Sequence, residues 1–339
     1  MASRIAINGF GRIGRAALKI AFERKDLEIV AINDLTDTKT LAHLLRFDTV
    51  YGKYAHEVSY TEKSITVDGK EFPVLAEKDP SALPWKLLNV DVVLECTGRF
   101  LTQEKASMHI TAGAKKVVLS APPKGEGVPT IVLGVNHDAL GRAVANGNIL
   151  SNASCTTNCI APAAKVMHDA FKVKKALMTT IHSYTADQNL VDGPHKDLRR
   201  ARAAAHNIVP TTTGAAISTA ETIPDLKGKF DGMAVRVPTI VGSLSDFTFV
   251  LEQQVTVEQV NEAFEKAATQ KEYKDILEVT HDPIVSSDII GNTHSSIVDL
   301  SLTKVVDGDL VKIVSWYDNE WGYSNRLIDL LSAICLHIS

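Results

Sequence analysis

The feature that most constrains the fold is a glycine-spaced turn, Gly9-Phe10-Gly11-Arg12-Ile13-Gly14, set between two apolar runs of different period. Arg4-Ile5-Ala6-Ile7-Asn8 reads as a short buried strand and Arg15 to Phe22 as an amphipathic helix. A second strand, Glu28 to Asn33, ends in Asp34, twenty residues beyond Gly14. In such a strand–turn–helix–strand unit the glycines permit a tight turn and close approach of backbone to a pyrophosphate at the helix N-terminus. An acid at the tip of the second strand accepts from both ribose hydroxyls and repels a 2′-phosphate, so Asp34 points to NAD over NADP. Asp34 could alternatively be a turn or cap residue. Glycines alone arise by chance; the accompanying strand, helix and acid rarely do.

Beyond this unit the alternation continues. Val90–Cys96 reads as a strand, Gln103–Ala112 as a helix and Lys116–Ser120 as a strand, with Ile131–Val135 and Ile149–Leu150 as further strands. Continuous Val/Ile/Leu strands separated by helices predict an α/β, Rossmann-type parallel sheet covered on both faces, over residues 1–153. The character then changes. Longer strands, Ala176–Ser183, Met233–Pro238, Ser245–Glu252 and Leu310–Tyr317, follow with few helices among the later ones. That pattern suits an α+β catalytic domain with a mainly antiparallel sheet, over residues 154–318. Val257–Thr269 is the clearest helix there, and Asn319–Leu336 reads as a closing helix.

Composition narrows the class. A chain of 339 residues has room for about two domains, and a net charge of −4 gives no electrostatic case for nucleic acid or membrane as main partner. The four cysteines form neither a secreted disulfide framework nor a zinc-type spacing with histidine, so no metal is expected. The chain enters its first strand within a few residues, leaving no room for a signal peptide, and no apolar run approaches the ~20 residues of a membrane span. A cytoplasmic, reducing setting is the expectation.

The second chemical feature is Ser151-Asn152-Ala153-Ser154-Cys155-Thr156-Thr157-Asn158-Cys159, with His182 on a separate apolar run. A thiol flanked by small hydroxyl residues and followed by the helix-like Ile160–Phe171 would sit at a helix N-terminus, where unpaired N–H groups and the macrodipole favour the thiolate. An imidazole within reach would favour it further and could move protons. One Cys and one His are by themselves a weak signal, because cysteine is often simply buried. The other histidines, His43, His56, His109, His137, His168, His195 and His206, show no ligand spacing and read as ordinary surface or core residues.

Taken together, Gly9–Gly14, Cys96-Thr97-Gly98, Ser151–Cys159, His182, Asp197–Arg202, Thr211–Gly214, Arg236–Thr239 and Trp316–Trp321 resemble phosphorylating glyceraldehyde-3-phosphate dehydrogenases, in order and from Arg4 to about Leu330. The resemblance implies an enzyme of glycolysis and gluconeogenesis that oxidises glyceraldehyde 3-phosphate to 1,3-bisphosphoglycerate with NAD. Cys155 would be the nucleophile, passing through a thiohemiacetal and a thioester, and His182 the base. Thr185, Asp187 and Arg236 would hold the substrate phosphate, while Ser154, Thr156, Thr213 and Gly214 would hold the attacking inorganic phosphate. Asn319 would hold the nicotinamide amide, Thr97 and Ser120 would line the cofactor cleft, Arg12 and Ile13 would contact the pyrophosphate and adenine side, and Lys78 would lie near the adenine. The resemblance also returns residues 319–339 to the nucleotide domain, gives a homotetramer, and places Arg199-Arg200-Ala201-Arg202 in a loop between subunits.

Three places depart from the family pattern: Lys78 stands where arginine is usual, Gly193 precedes Pro194 where a larger apolar residue is common, and Thr239-Ile240-Val241-Gly242-Ser243 differs from the usual run. None is expected to touch the chemistry. Two other readings stand beside the main one. An erythrose-4-phosphate dehydrogenase shares the Cys and His segments but differs at Ser183–Asp187 and Thr211–Gly214, and a nucleotide- or RNA-binding scaffold would not need the anion-site residues.

Overall fold

The computed structural model describes residues 2–338, which separate into two units. The first takes the described chain up to Ile131, Asp138–Ala153 and the chain from Ser324 onward; the second takes Val132–His137 and Ser154–Tyr323.

In the first unit the strands are β1 (Ser3–Asn8), β2 (Leu27–Asn33), the small pair β3 (Phe47–Asp48) and β4 (Gly52–Lys53), β5 (Val58–Tyr60), β6 (Ser64–Val67), β7 (Lys70–Leu75), β8 (Val92–Glu95), β9 (Lys116–Leu119) and β10 (Ile149–Ser151). Its helices are α1 (Arg12–Phe22), α2 (Thr38–Arg46), α3 (Gln103–Thr111) and α4 (Leu140–Asn146). Eight strands form one sheet in the order β10-β9-β8-β1-β2-β7-β6-β5. The pairs from β10 through to β7 are parallel. Ile5, Ile7, Val92, Val93, Leu94, Val117 and Val118 are buried completely, as strands covered on both faces require. The parallel part is the one the sequence predicts. The sheet continues, however, through an antiparallel meander, β7-β6-β5, that short and partly exposed strands did not announce.

Ile131–Val135 is a correction. It forms no strand; Thr130 alone makes an isolated parallel bridge to Ser151. Immediately after, Val132 N donates to Asn136 Oδ1 at 2.8 Å and Val135 N to Val132 O at 3.1 Å. Gly134, at φ +81°, lets the backbone turn in a conformation other residues resist.

The second unit opens with α5 (Cys155–Phe171), followed by β11 (Val173–Ser183), β12 (Val209–Thr211), α6 (Ala215–Thr222), β13 (Phe230–Val237), β14 (Ser243–Leu251), α7 (Val257–Ala268), β15 (Leu277–Thr280), β16 (Ser296–Asp299), β17 (Lys304–Val306) and β18 (Leu310–Tyr317). The sheet order is β12-β13-β11-β14-β18-β16-β15, with β17 on β18. It is mainly antiparallel, as expected; β11–β13 and β15–β16 are the parallel pairs. The period of two along β11 turns Ala176, Met178, Thr180 and His182 to the buried face and leaves Leu177 exposed on the other. The closing helix α8 (Trp321–Cys335) contributes its later part to the first unit, where Arg24 donates to Asp329 and Ser332.

Candidate active site

The dinucleotide fingerprint of the first unit has the geometry its residues require. Gly9 has φ +95°, and a Cβ there would meet Thr97 N at 2.8 Å. A Cβ on Gly14 would meet Gly9 O at 2.1 Å, whereas one on Gly11 would project into open space. Gly9 and Gly14 are therefore fixed by close packing of the turn, and Gly11 keeps a face clear for a ligand. Asp34 follows β2 and accepts from Phe10 N at 2.7 Å and Thr36 N at 2.9 Å, which aims its carboxyl along the turn. A cleft of about 580 Å³ opens here, lined by Gly9, Gly11, Asp34, Lys78 and Thr97 among others.

Other predicted contacts lie around rather than in this cleft. Arg12 pairs with Asp48 at 2.5 Å and stands over the Tyr51 ring. Ile13 is half-buried on the first turn of α1. Ser120 follows β9, and its hydroxyl is tied to the Cys96 thiol, which burial pushes up to about 12. The cleft floor rests on a residue the sequence did not single out. Glu95, fully buried at the end of β8, accepts from Thr97 N at 2.7 Å, from Thr97 Oγ1, and from Asn8 Nδ2 at 2.6 Å.

In the second unit α5 begins at Cys155, capped by Ser154, whose hydroxyl accepts from Thr157 N at 3.0 Å. The thiol thus occupies the helix N-terminus foreseen from its flanking residues. Cys155 Sγ lies 3.5 Å from His182 Nε2. The other ring nitrogen, Nδ1, is 2.6 Å from the Ser183 carbonyl. A carbonyl only accepts, so Nδ1 carries the proton and Nε2 presents its lone pair to the thiol. The tautomer suited to taking a proton from sulfur is therefore set by the neighbouring backbone.

Burial pushes the Cys155 thiol up, against the opposing effects of the Arg236 charge and of hydrogen bonds from Thr156. Burial and then the Arg236 charge hold His182 down at about 3, so the imidazole rests neutral with its Nε2 lone pair toward the thiol. Its Nε2 lone pair is free to accept a proton. Transfer from Sγ to Nε2 leaves the net charge unchanged and places the new thiolate at the α5 N-terminus, within the field of Arg236. Cys159 differs: it is fully buried, bonded to Ser315 Oγ at 3.5 Å, and pushed up to about 12.

Arg236 is placed by strand register, since His182 and Arg236 face each other across the parallel β11–β13 pair. Arg236 Nη1 donates to the Ser183 carbonyl at 3.1 Å and to Thr185 Oγ1 at 2.8 Å, while its buried Nε has no protein acceptor. A buried guanidinium nitrogen left without an acceptor fits an anionic ligand. Thr185 Oγ1 donates to Asp187, whose other oxygen receives Arg200 Nη1 at 2.5 Å. Arg200 also donates to Thr211 Oγ1 at 2.9 Å and to Thr212 O at 3.3 Å, joining this chain to the loop before α6. The basic loop is thus paired within its own chain, with Arg202 on Asp192 at 2.8 Å. Thr213 caps Ala215 N at 3.2 Å, and Gly214, exposed, is the N-cap of α6. Thr156 Oγ1 turns to Tyr317 OH at 2.9 Å.

Tyr317, Arg200 and Ser183 are the residues sequence reasoning passed over. All three stood inside segments already singled out; their contacts span long stretches of chain. A second correction concerns Thr239–Ser243, which was expected to be remote from the chemistry. Gly242 N donates to Asn319 Oδ1 at 3.1 Å and Ser243 Oγ to the same atom at 2.9 Å, so this run holds a predicted cofactor residue.

Comparison with known proteins agrees with this geometry. Residues 3–103 match the glyceraldehyde 3-phosphate dehydrogenase NAD binding domain, and residues 154–319 match the C-terminal domain of the same family. The chain is 56% identical over 331 residues to the glyceraldehyde-3-phosphate dehydrogenase of Streptomyces coelicolor, covering 97% of this chain and 98% of that one. It is 57% identical over 334 residues to the Thermotoga maritima enzyme of that name, covering 98% and 99%. The Geobacillus stearothermophilus protein is 54% identical over 334 residues, covering 98% of both chains. With both of its units matched and its relatives aligned almost end to end, the chain belongs to the glyceraldehyde 3-phosphate dehydrogenase family.

Proposed function

We propose that the protein oxidises D-glyceraldehyde 3-phosphate to 1,3-bisphosphoglycerate, with Cys155 as nucleophile and His182 as base. The observation that carries this reading is the 3.5 Å approach of Cys155 Sγ to a His182 Nε2 whose lone pair is fixed toward it. The thiol proton passes to Nε2 as sulfur bonds to the aldehyde carbon. Backbone N–H at the start of α5 would face the developing oxyanion. His182 returns that proton to the oxyanion, giving the thiohemiacetal hydroxyl, and takes it up again as hydride departs and the thioester forms. Bound NAD supplies the hydride acceptor, and Gly9, Gly11, Gly14, Asp34 and Thr97 fit that group by the steric and hydrogen-bond pattern of the turn. Inorganic phosphate next attacks the acyl carbon, the C–S bond breaks, and the thiolate is restored.

Arg236, Thr185 and Asp187 would bind the substrate phosphate, the unpartnered Arg236 Nε being the strongest support. Ser154, Thr156, Thr213 and Gly214 would serve the attacking phosphate, with Arg200 holding the segment that leads into Thr213 and Gly214. Arg12, Ile13, Lys78 and Ser120 would flank the cofactor, and Asn319 would donate to its carboxamide. Residues 1–153 with the closing helix would form the NAD-binding domain and residues 154–318 the catalytic one. A homotetramer is part of the proposal. It is supported by the outer face of the second sheet, where Leu177 is exposed beside Ile217 in a groove of about 1010 Å³, and by the exposed Met233, Leu190, Val191 and Leu198. Among the described residues no helix is long and apolar enough to cross a membrane.

The test is phosphate dependence. Purified protein should reduce NAD steadily with glyceraldehyde 3-phosphate only when phosphate or arsenate is present, and give a single burst without either. Sustained turnover lacking both anions would remove the acyl-phosphate step. Higher kcat/KM for erythrose 4-phosphate would assign the chain to that aldehyde, and no NAD reduction with either would leave a scaffold.

A further inference from the structure

The nucleotide cleft is walled by residues that follow the ends of the adjacent strands β8, β1, β2 and β7, and buried side chains join those ends. Asn8, ending β1, stands in register with Asn33 of β2 on one side and Glu95 of β8 on the other. Their side chains bond in the same order. Asn33 Nδ2 donates to Asn8 Oδ1 at 2.7 Å, and Asn8 Nδ2 donates to Glu95 Oε2 at 2.6 Å. At the far end Asn33 meets the Glu77 backbone, just beyond β7. Its Nδ2 donates to the Glu77 carbonyl at 2.9 Å, and its Oδ1 accepts from the Glu77 N–H at 2.9 Å. Gly9, Asp34, Cys96 and Lys78, each the residue after a member of this chain, line the cleft.

Every direction in the chain is set by a group with a single role. The Glu77 N–H only donates and its carbonyl only accepts, so the Asn33 amide has one orientation. Asn8 must then offer Oδ1 to Asn33 and Nδ2 to Glu95. From the other side the Trp85 indole N–H donates to His109 Nδ1 at 3.0 Å, which leaves the ring proton on Nε2, 3.2 Å from Glu95 Oε2. The Thr97 N–H donates to Glu95 Oε1 at 2.7 Å. Each oxygen of Glu95 therefore faces at least one N–H that cannot turn round. Asn8, Asn33, Trp85, Glu95 and His109 are all buried, so water does not replace a lost partner. His109 also lies edge-on to Phe100, another residue of the cleft.

We infer that Glu95 is a positioning residue of the cofactor site: through Asn8 and Asn33 its carboxylate holds the ends of β8, β1, β2 and β7 together, so that the cleft is formed before the dinucleotide enters. The inference rests on the reading of this cleft as the dinucleotide site and deepens it. Order already present in the free protein lowers the cost of binding. Glu95→Gln keeps the shape but turns an NH2 either on to the Thr97 N–H or on to Asn8 Nδ2 and His109 Nε2. A donor meets a donor in both orientations, and the strand ends lose their fixed spacing.

The test is calorimetric titration of the purified protein with NAD and with ADP-ribose, which lacks the nicotinamide. Stoichiometry reports the folded fraction, and Kd reports the cleft. Glu95→Gln should raise Kd for both ligands by the same factor, about five- to thirtyfold, while kcat at saturating NAD stays within about threefold. Asn33→Ala cuts the chain at its other end and should raise Kd about three- to tenfold. In the double variant Kd should rise by less than the product of the two factors, because the second substitution breaks a chain already cut. If Glu95→Gln does not fold, Asn33→Ala carries the comparison with the wild type. Lower stoichiometry or melting temperature at unchanged Kd would make Glu95 a stability residue and overturn the proposal. So would a Kd rise confined to NAD, or factors that multiply in the double variant. Wild-type protein that fails to bind ADP-ribose overturns instead the reading of the cleft as the dinucleotide site.

Discussion

Two buried histidines, one in each unit, differ in whether the protein closes the hydrogen-bond network around the ring. His109 has both ring nitrogens satisfied by the protein: Trp85 Nε1 donates to Nδ1 at 3.0 Å, leaving Nε2 to donate to Glu95 Oε2 at 3.2 Å. That network ends inside the fold and supports Thr97 and Asn8 at the cleft edge. His182 has one nitrogen committed in the same manner, to Ser183 O, but the other faces a thiol whose proton it can take. Both rings are buried; the difference is whether the network is closed. A closed polar network rigidifies, whereas one with an open, mobile proton performs chemistry.

The sharpest break in this comparison is at the open end. Cys155→Ser should lower NAD-reducing turnover by at least about a thousandfold, since a serine hydroxyl stays protonated, while cofactor binding by fluorescence titration is retained. Turnover within tenfold of wild type would place the nucleophile elsewhere.

Next in size is the base. His182→Asn should reduce kcat by about 10²–10⁴-fold. Burial already pushes the Cys155 thiol up, and the variant removes the group that accepts its proton. The thiol therefore ionises at higher pH, and the profile of iodoacetamide alkylation against pH should move to the alkaline side. An unmoved profile would make His182 as structural as His109.

On the nucleotide side, Asp34→Ala should cut kcat/KM for NAD by about ten- to a hundredfold, the range for a charged hydrogen-bonding group, and change NADP use far less. Equal kcat/KM for the two cofactors in the wild type would refute this use of Asp34.

The closed network should respond through stability. His109→Leu leaves the buried Glu95 and Trp85 each short of a partner, so denaturant unfolding should show a loss of about 2 kcal/mol, with kcat held within about threefold. A kcat loss like that of His182→Asn, without destabilisation, would erase the distinction between the two rings.

What could be read in the sequence divides along the same line. The Gly9–Gly14 turn, the helix start at Cys155 and the buried β strands were legible because each is written in residues a few positions apart. Ile131–Val135 misled because its composition suits a strand while Gly134 and Asn136 fold it into a turn. His109 and His182 looked alike by composition; a likeness to a known family marked His182, and no local signal marked Glu95 or Ser183. The meander β5–β7 escaped notice because three short strands with exposed residues carry little alternation.

The sequence by itself determined the nucleotide-binding unit, the helix start at Cys155 and the family to which the chain belongs. Only the tertiary structure decided the His182 tautomer, the pairing of Arg236 with Ser183 and Thr185, the link from Asp187 through Arg200 to the α6 loop, and the hydrogen bonds gathered on Asn319. The reason is range. Periodicity, capping and glycine turns act over one or two turns of chain. A hydrogen bond between Ser183 and Asn319, 136 residues apart, exists only after strand register has placed its donor and acceptor together.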